Sequence, residues 1–411
     1  MADSDGRVNT EASGETDAFV QEPLFKRQKN ETVVDFPFPD GNEEMTEGGK
    51  VSKRKFVLLM SYVGSDYLGM QVQGELPTIE RELLTGLKKL GYISEEEYKK
   101  PGSFRFQRAA RTDKGVSARK QVCSFRLPVA DTEDCVNKLN DLLPPTIRIM
   151  TIDRATKSFD CKSACSSRTY AYTLPTFAFT DGVDRSFRID TKLIERVDEV
   201  LRQFEGTHNF FNFTSNMKHS DQSCNRYVMK CRCGEPFIVD DFEMISILID
   251  GQSFVFNQIR KMVALCVAIV RGYCDKSTIE RAFHCPEHMD LPKAPSLGLT
   301  LQNIHYEWYN IRYASSHRPL TFDDQETKVE QFWRDHILPT IIQGEKLDDS
   351  INSVTGWLAT VPLHTFDVRD SGPPLPKQMR TEPEANVAEK VSTEADKNSA
   401  VSNGILSSSD C

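Results

Sequence analysis

Between Phe56 and Trp308 the apolar residues fall into two spacings that alternate along the chain. That alternation restricts the fold to sheets covered by helices. Phe56-Val-Leu-Leu-Met60 is a short unbroken apolar run, the mark of a buried strand. Ile79, Leu83, Leu84, Leu87 and Leu90 then follow the helical period, with Thr78 as the expected N-cap. Residues 122–127 read as a strand. Val136, Leu139, Leu142 and Leu143 line one face of a helix that opens at Asp131 and stops at Pro144-Pro145. The style then repeats. Residues 168–174 read as a strand, and Leu193, Ile194, Val197, Val200, Leu201 and Phe204 as a helical stripe closed by Gly206. A strand over 244–249 and a helix over 256–270 follow, then a helix opened by the Ser277/Glu280 capping box and a strand over 298–308. The expected fold class is α+β, two strand-helix-strand halves with helices on one sheet face. Residues 322–359 look helical, with Phe322, Val329, Phe332, Trp333, Ile337 and Trp357 available to dock on the core.

Neither spacing reaches the ends. Residues 1–49 carry 12 acids and 4 bases, and residues 371–411 carry 6 and 4. The chain's net charge of -9 therefore belongs to the ends, and about +1 is left for the middle. An acidic total does not exclude a polyanionic partner, because local patches govern phosphate binding. The expected boundaries are a disordered acidic leader (1–53), an N-terminal half (54–155), a C-terminal half (156–310), a helical extension (311–367) and a disordered tail (368–411). No apolar run is long enough to span a bilayer, so no membrane partner is expected. The acidic N-terminus lacks the apolar core of a secretory signal and the Arg-rich character of a mitochondrial one. Lys26-Arg27-Gln28-Lys29 and Lys53-Arg54-Lys55 would suit nuclear import, the expected location, although short basic runs are usually solvated surface. The 11 cysteines are expected as reduced thiols. Cys161 and Cys165, and Cys224, Cys231 and Cys233, lack zinc-knuckle spacing, so no metal is expected.

The chemistry concentrates in Arg108-Ala-Ala-Arg-Thr-Asp-Lys-Gly-Val-Ser-Ala118. From Lys99 to Ala130 there are nine Lys or Arg residues and a single acid, Asp113. Nearby positive charge favours an ionised carboxylate. On a loop of small residues (Gly115, Ser117, Ala118) such a group is a candidate nucleophile or base, and its basic surround suits a polyanion. Arg105, Arg108, Lys114, Arg119 and Lys120 are the expected phosphate contacts, with Phe104 and Phe106 interleaved to stack or to pack. The plain alternative is a salt-bridged Asp on a solvated basic turn.

This string resembles the catalytic motif of the TruA family of pseudouridine synthases, in which the Asp of Arg-Thr-Asp is catalytic. The resemblance implies Asp113 in that role, with Arg111 as its neighbour. Further segments, in the family's order, look like its other motifs: Ser61 through Gln71, Phe159 through Tyr172 with Arg168-Thr-Tyr170-Ala-Tyr172, Gly206 through Phe213, and Gly251 through Met262. Ala294-Pro-Ser-Leu-Gly-Leu299 closes the set. The C-terminal extension and residues 206–215 look most like the eukaryotic tRNA pseudouridine synthase 1 branch. Met70, Asn257 and Cys161 depart from the common Trp, His and Ala. The resemblance implies two RRM/ferredoxin-like halves sharing an extended antiparallel-rich sheet. It also implies isomerisation of uridine in tRNA, in the anticodon stem-loop region, with mRNA or snRNA as further substrates, acting as a monomer without a cofactor. Tyr170 would stack on the base or take its C5 proton, Arg260 would pair with Asp113 while Lys261 faces solvent or phosphate, and Leu299 would lie against the base. On residue types alone, Tyr170 and Leu299 also read as ordinary core residues. A non-catalytic RNA-binding or chaperone module that keeps the fold is the alternative function. A metal-dependent nuclease would need a carboxylate cluster that the sequence lacks.

Overall fold

The computed structural model describes residues 52–215, 217–347 and 351–369. The expected leader and tail lie outside the described residues apart from 52–53 and 368–369. The described residues belong to one compact unit built on a ten-stranded mixed sheet. Its strands are Arg54–Tyr62 (β1), Gln107–Arg108 (β2), Ser117–Leu127 (β3), Ile147–Arg154 (β4), Ser167–Pro175 (β5), Gly206–Asn209 (β6), Asn225–Cys233 (β7), Phe237–Val239 (β8), Phe242–Gly251 (β9) and Leu299–His305 (β10). The order across the sheet is β4-β1-β3-β10-β5-β9-β7-β6, with β2 beside β3 and β8 beside β9. The last strand in the chain lies in the middle of the sheet. β10 runs parallel to β3 (Thr300 opposite Ser117, Leu301 opposite Ala118) and antiparallel to β5. The two halves are therefore one continuous sheet.

The helices are Ile79–Lys89 (α1), Glu95–Lys99 (α2), Thr132–Leu142 (α3), Thr191–Leu201 (α4), Gln258–Val270 (α5), Ser277–His284 (α6), Glu307–Arg312 (α7), Glu326–Phe332 (α8), Leu338–Lys346 (α9) and Val354–Trp357 (α10). α5 is the core helix: every residue from Met262 to Val270 is buried. None of the helices is long and apolar enough to cross a membrane. Asp131 caps α3 as expected, accepting from the Glu133 and Asp134 amides. Thr78 sits at the N-cap of α1, but its hydroxyl makes no capping bond. The Ile79 and Glu80 amides donate instead to the carbonyls of Gly69 and Met70. The Ser277/Glu280 capping box does not form either, because α6 starts one residue earlier in the turn, with Lys276 as its N-cap. The expected strand over 298–308 stops at His305: Tyr306 turns inward to donate to the Cys161 carbonyl (3.0 Å), and α7 begins.

The C-terminal extension is tied to the sheet by charge as well as by packing. Glu326 and Glu330 of α8 meet Arg119 and Lys120 of β3, and Trp333 lies over the Arg119 guanidinium (5.4 Å). Further on, the fully buried Glu345 accepts from the Val354 amide (2.8 Å) and from the Thr355 amide and hydroxyl (both 2.9 Å), closing the start of α10. Replacing Glu345 with Ala leaves these donors buried without that acceptor. We expect a loss of about 2–4 kcal/mol, read as a lower denaturant midpoint; an unchanged midpoint would remove Glu345 as the link between α9 and α10.

Candidate active site

Asp113 lies in the loop from β2 into β3, and buried side chains hold that loop in place. The Gln121 side chain, fully buried in β3, accepts from the Ala110 amide (3.2 Å) and donates to the Ala110 carbonyl (2.9 Å). It thereby replaces a ladder rung where β2 has ended. The Tyr62 hydroxyl of β1 shares a hydrogen bond with the Thr112 hydroxyl (2.7 Å), one residue before Asp113. Arg168 of β5 reaches across to the Ala109 carbonyl through Nε (3.2 Å) and Nη2 (2.8 Å). The segment from Ser61 to Gln71 supplies the other wall. The Met70 amide donates to Thr112, and the Gly115 amide to Tyr67. A Cβ at Gly64 would fall 2.2 Å from the Val116 carbonyl oxygen. Gly69, at φ +111°, would place one 2.8 Å from the Thr112 oxygen. The glycines of that motif are where the loop needs the backbone to approach.

The loop presents a half-buried Asp113 whose carboxylate takes no hydrogen bond and no ion pair from the described residues. Burial raises its pKa above the ordinary 3.8, and Arg260 and then Lys293 oppose that rise. Arg260 enters from the first turn of α5. Among the described residues it has no direct ion pair: its Nε donates to the Ala294 carbonyl (2.6 Å), so backbone fixes the guanidinium within electrostatic reach of Asp113. The carbonyl of Arg260 accepts from the Ala294 amide in turn (3.2 Å). This reciprocal pair also sets Lys293, which sequence reasoning missed because a lone Lys before Ala-Pro has no signal of its own. Asn257, at φ 65°, starts α5 in a left-handed conformation that Asn tolerates. Lys261 does not face solvent. It is half-buried and donates to the Asn212 carbonyl (2.8 Å), and burial lowers its pKa to about 8.

Tyr170 of β5 completes the group. Its ring is 9% exposed and meets Phe254 edge-on at 5.4 Å. Burial raises its phenol to about 12, with the Asp113 charge adding to the rise against Arg168. Leu299 opens β10 opposite Tyr172 and is buried. Asp113, Arg260, Lys293 and Tyr170 thus share one electrostatic neighbourhood, with Leu299 two positions along the seam from Leu301, the cross-strand partner of Tyr170. Among the described residues no three His, Cys, Asp or Glu side chains are placed to hold a metal.

The basic residues divide into two sets. Arg105, Arg111 and Lys114 are exposed and have no ion pair among the described residues. The other three are placed differently from the expectation. Arg108 pairs with the buried Glu80 of α1 (2.9 Å). Arg119 and Lys120 are buried on β3 and bound to Glu330 (2.7 Å) and Glu326 (2.6 Å). Their charge is neutralised inside the protein, which no local pattern announces, since the partners lie about two hundred residues away. Phe104 and Phe106 pack inward, Phe106 stacking on Phe125 at 6.3 Å. Lys53 pairs with Glu97, and Lys55 is buried in β1, so the second basic cluster is part of the fold.

Residues 200–307 match the profile of a family described as tRNA pseudouridine synthase. The chain is 41% identical over 353 residues to mouse pseudouridylate synthase 1 homolog, covering 82% of each chain. It is 44% identical over 319 residues to the human pseudouridylate synthase 1 homolog, covering 75% of this chain and 73% of that one. Against the Candida albicans tRNA pseudouridine synthase 1 the figures are 31% over 451 residues, with 85% and 72% covered.

Two cations act on Asp113, and Arg260 is the larger influence. Replacing Arg260 with Met should move the Asp113 titration to higher pH, since a cation that favours the ionised form is lost. Replacing Lys293 with Met should move it less. Carboxyl-carbon NMR of the labelled aspartates reads both, and an Asp113 titration unmoved by either change would mean that neither cation reaches it.

Proposed function

The chain belongs to the tRNA pseudouridine synthase family, and we propose that Asp113 is its catalytic carboxylate. The activity is isomerisation of uridine to pseudouridine in tRNA. The N1–C1′ bond breaks, the base turns, and C5 bonds to C1′ as its proton leaves and N1 gains one. Atoms and electrons balance within the substrate. The protein must supply a carboxylate at the reacting nucleotide and hold the base out of its stack.

The observation that carries this reading is a desolvated carboxylate with two cations in reach, on a loop clamped by Gln121, Tyr62 and Arg168. Desolvation without a direct ion pair leaves Asp113 able to turn to a ligand. Arg260 and Lys293 stabilise its ionised form without covering it. The Tyr170 phenol, raised to about 12, is neutral at pH 7. That supports the ring as a surface for the extruded base, and argues against a resting phenolate base. Leu299 offers an apolar contact at the same seam. Arg111, Lys114 and Arg105 are the cations available to RNA phosphates, which position the strand without reading it. A non-catalytic binding module would have no use for an unpaired, desolvated Asp, whose charge repels phosphate.

The finer substrate reading is the anticodon stem-loop region of tRNA, with mRNA and snRNA as further substrates. The protein acts as a monomer in the nucleus, its import resting on the basic cluster at residues 26–29, which lies outside the described residues.

Replacing Asp113 with Asn should abolish tritium release from 5-tritiated uridine in tRNA transcripts while tRNA binding is kept. The same change should raise the melting temperature at pH 7. The folded pKa lies above the unfolded one, so the fold holds the proton more tightly than the open chain does. Ionised Asp113 therefore weakens the fold as pH rises through the folded pKa, and Asn removes that penalty. Tritium release near the unaltered rate would refute the assignment.

A further inference from the structure

A second cationic site lies at the far end of β1. A cavity of about 490 Å³ opens there, lined by Lys55, Ser103, Arg105, Gln107, Lys157 and Asp160 among others. Lys55 is the unusual member. Its residue surface is only 5% exposed, yet among the described residues no carboxylate pairs with its ammonium, which donates to the Arg105 carbonyl (3.2 Å). Directly across the β1/β3 ladder stands Arg126, a second cation with no ion pair among the described residues and with Nε buried without a partner. Like charges facing each other across strands oppose folding, and a buried ammonium adds to that cost. Burial accordingly lowers the Lys55 pKa, with Arg105 and Arg126 adding to the fall against Cys161 and Asp160.

The only carboxylate in the lining, Asp160, already accepts from the Lys162 and Ser163 amides (both 2.9 Å). Arg105, at φ 54°, holds a left-handed conformation that non-glycine residues seldom adopt. Three cations, Lys55, Arg105 and Lys157, thus line a cavity with one engaged acid, and Arg126 stands across the ladder from Lys55. The aromatic walls offer no free ring face to a base: Phe106 stacks on Phe125 and under Arg108, and Phe159 meets Tyr306 and Tyr309.

We propose that this cavity binds a backbone phosphate of the RNA substrate, as an anchor remote from the chemistry. The inference rests on the tRNA reading above. Lys55 stands seven positions along β1 from Tyr62, whose hydroxyl holds the Asp113 loop, a span of about 23 Å. Of the exposed arginines, Arg105 belongs to the cavity and Arg111 to the Asp113 loop. The anchor reads backbone only, so it contributes affinity and register without sequence preference.

The test is tRNA affinity of the full chain across a salt series, by filter binding. Lys157→Ala and Arg105→Asn change exposed residues, and Asn tolerates the left-handed backbone. Each should weaken binding about three- to ten-fold near physiological salt and make the slope of log K against log salt less negative by about 0.7–0.9. Lys55→Met should do the same; if it fails to fold, the two exposed variants decide. Lys328→Ala, at an exposed position of α8, should change neither quantity. Unchanged affinity and slope in both exposed variants overturn the proposal. So does adenosine monophosphate binding that is lost in Lys157→Ala while tRNA affinity holds, because the occupant would then be a free phosphate ester. Tritium release by the unaltered chain is read separately, so the enzyme assignment and the anchor fail independently.

Discussion

The parallel seam between β3 and β10 is the constraint on which the site depends. Asp113 comes from the loop that enters β3, while Tyr170 and Leu299 come from β5 and β10. Only the pairing of Thr300 with Ser117 and of Leu301 with Ala118 brings these elements side by side. A parallel pair cannot be made by a hairpin and needs a long crossover. Here the connection from β3 to β10 contains the whole second half of the fold. The site therefore forms only when both halves are folded and joined, and desolvation of Asp113 follows from that closure. The loop before β10 takes part as well. It ends in the residues that hold Arg260 through Ala294 and Tyr172 through Pro295 (2.8 Å).

Much of this was legible in the sequence because it is local. The apolar run at Phe56 became β1, the stripe from Leu193 to Phe204 became α4 and its continuation, and Asp131 capped α3. Asp113 stood out because a lone acid among nine bases is a local anomaly. What was not legible is pairing over long sequence distances. Nothing near Arg119 tells that Glu330 will neutralise it, and nothing near Gln121 tells that its amide will stand in for a missing rung of sheet beside Ala110. The failed caps have the same cause. Ser277 and Thr78 are good capping residues, but tertiary carbonyls or an earlier turn had already satisfied the amides at those helix starts.

The fate of the basic residues shows why charge counts locate an RNA surface poorly. The cluster from Lys99 to Arg126 reads as one positive stripe, yet its members serve three physical ends. Arg108, Arg119 and Lys120 are structural cations, each matched to a carboxylate from a helix packed on the sheet. Arg111 and Lys114 stay in solvent, flanking Asp113 in the sequence. Arg105 lines a cavity with Lys55 at the other end of β1, and Arg126 pairs across the ladder from Lys55. A strand pair oriented with Asp113 at one end and unpaired cations at the other gives a polyanion two separated points of attachment. Two such points define a direction, which a single basic patch cannot. A flexible RNA held at both ends of β1 loses the freedom to rotate about the target nucleotide, and the base then reaches Asp113 from one side only. On the anchor proposed above, orientation of the substrate would come from the sheet itself, through the spacing of charges along one strand, and chemistry at the Asp113 loop would need no sequence-reading contacts to be directed.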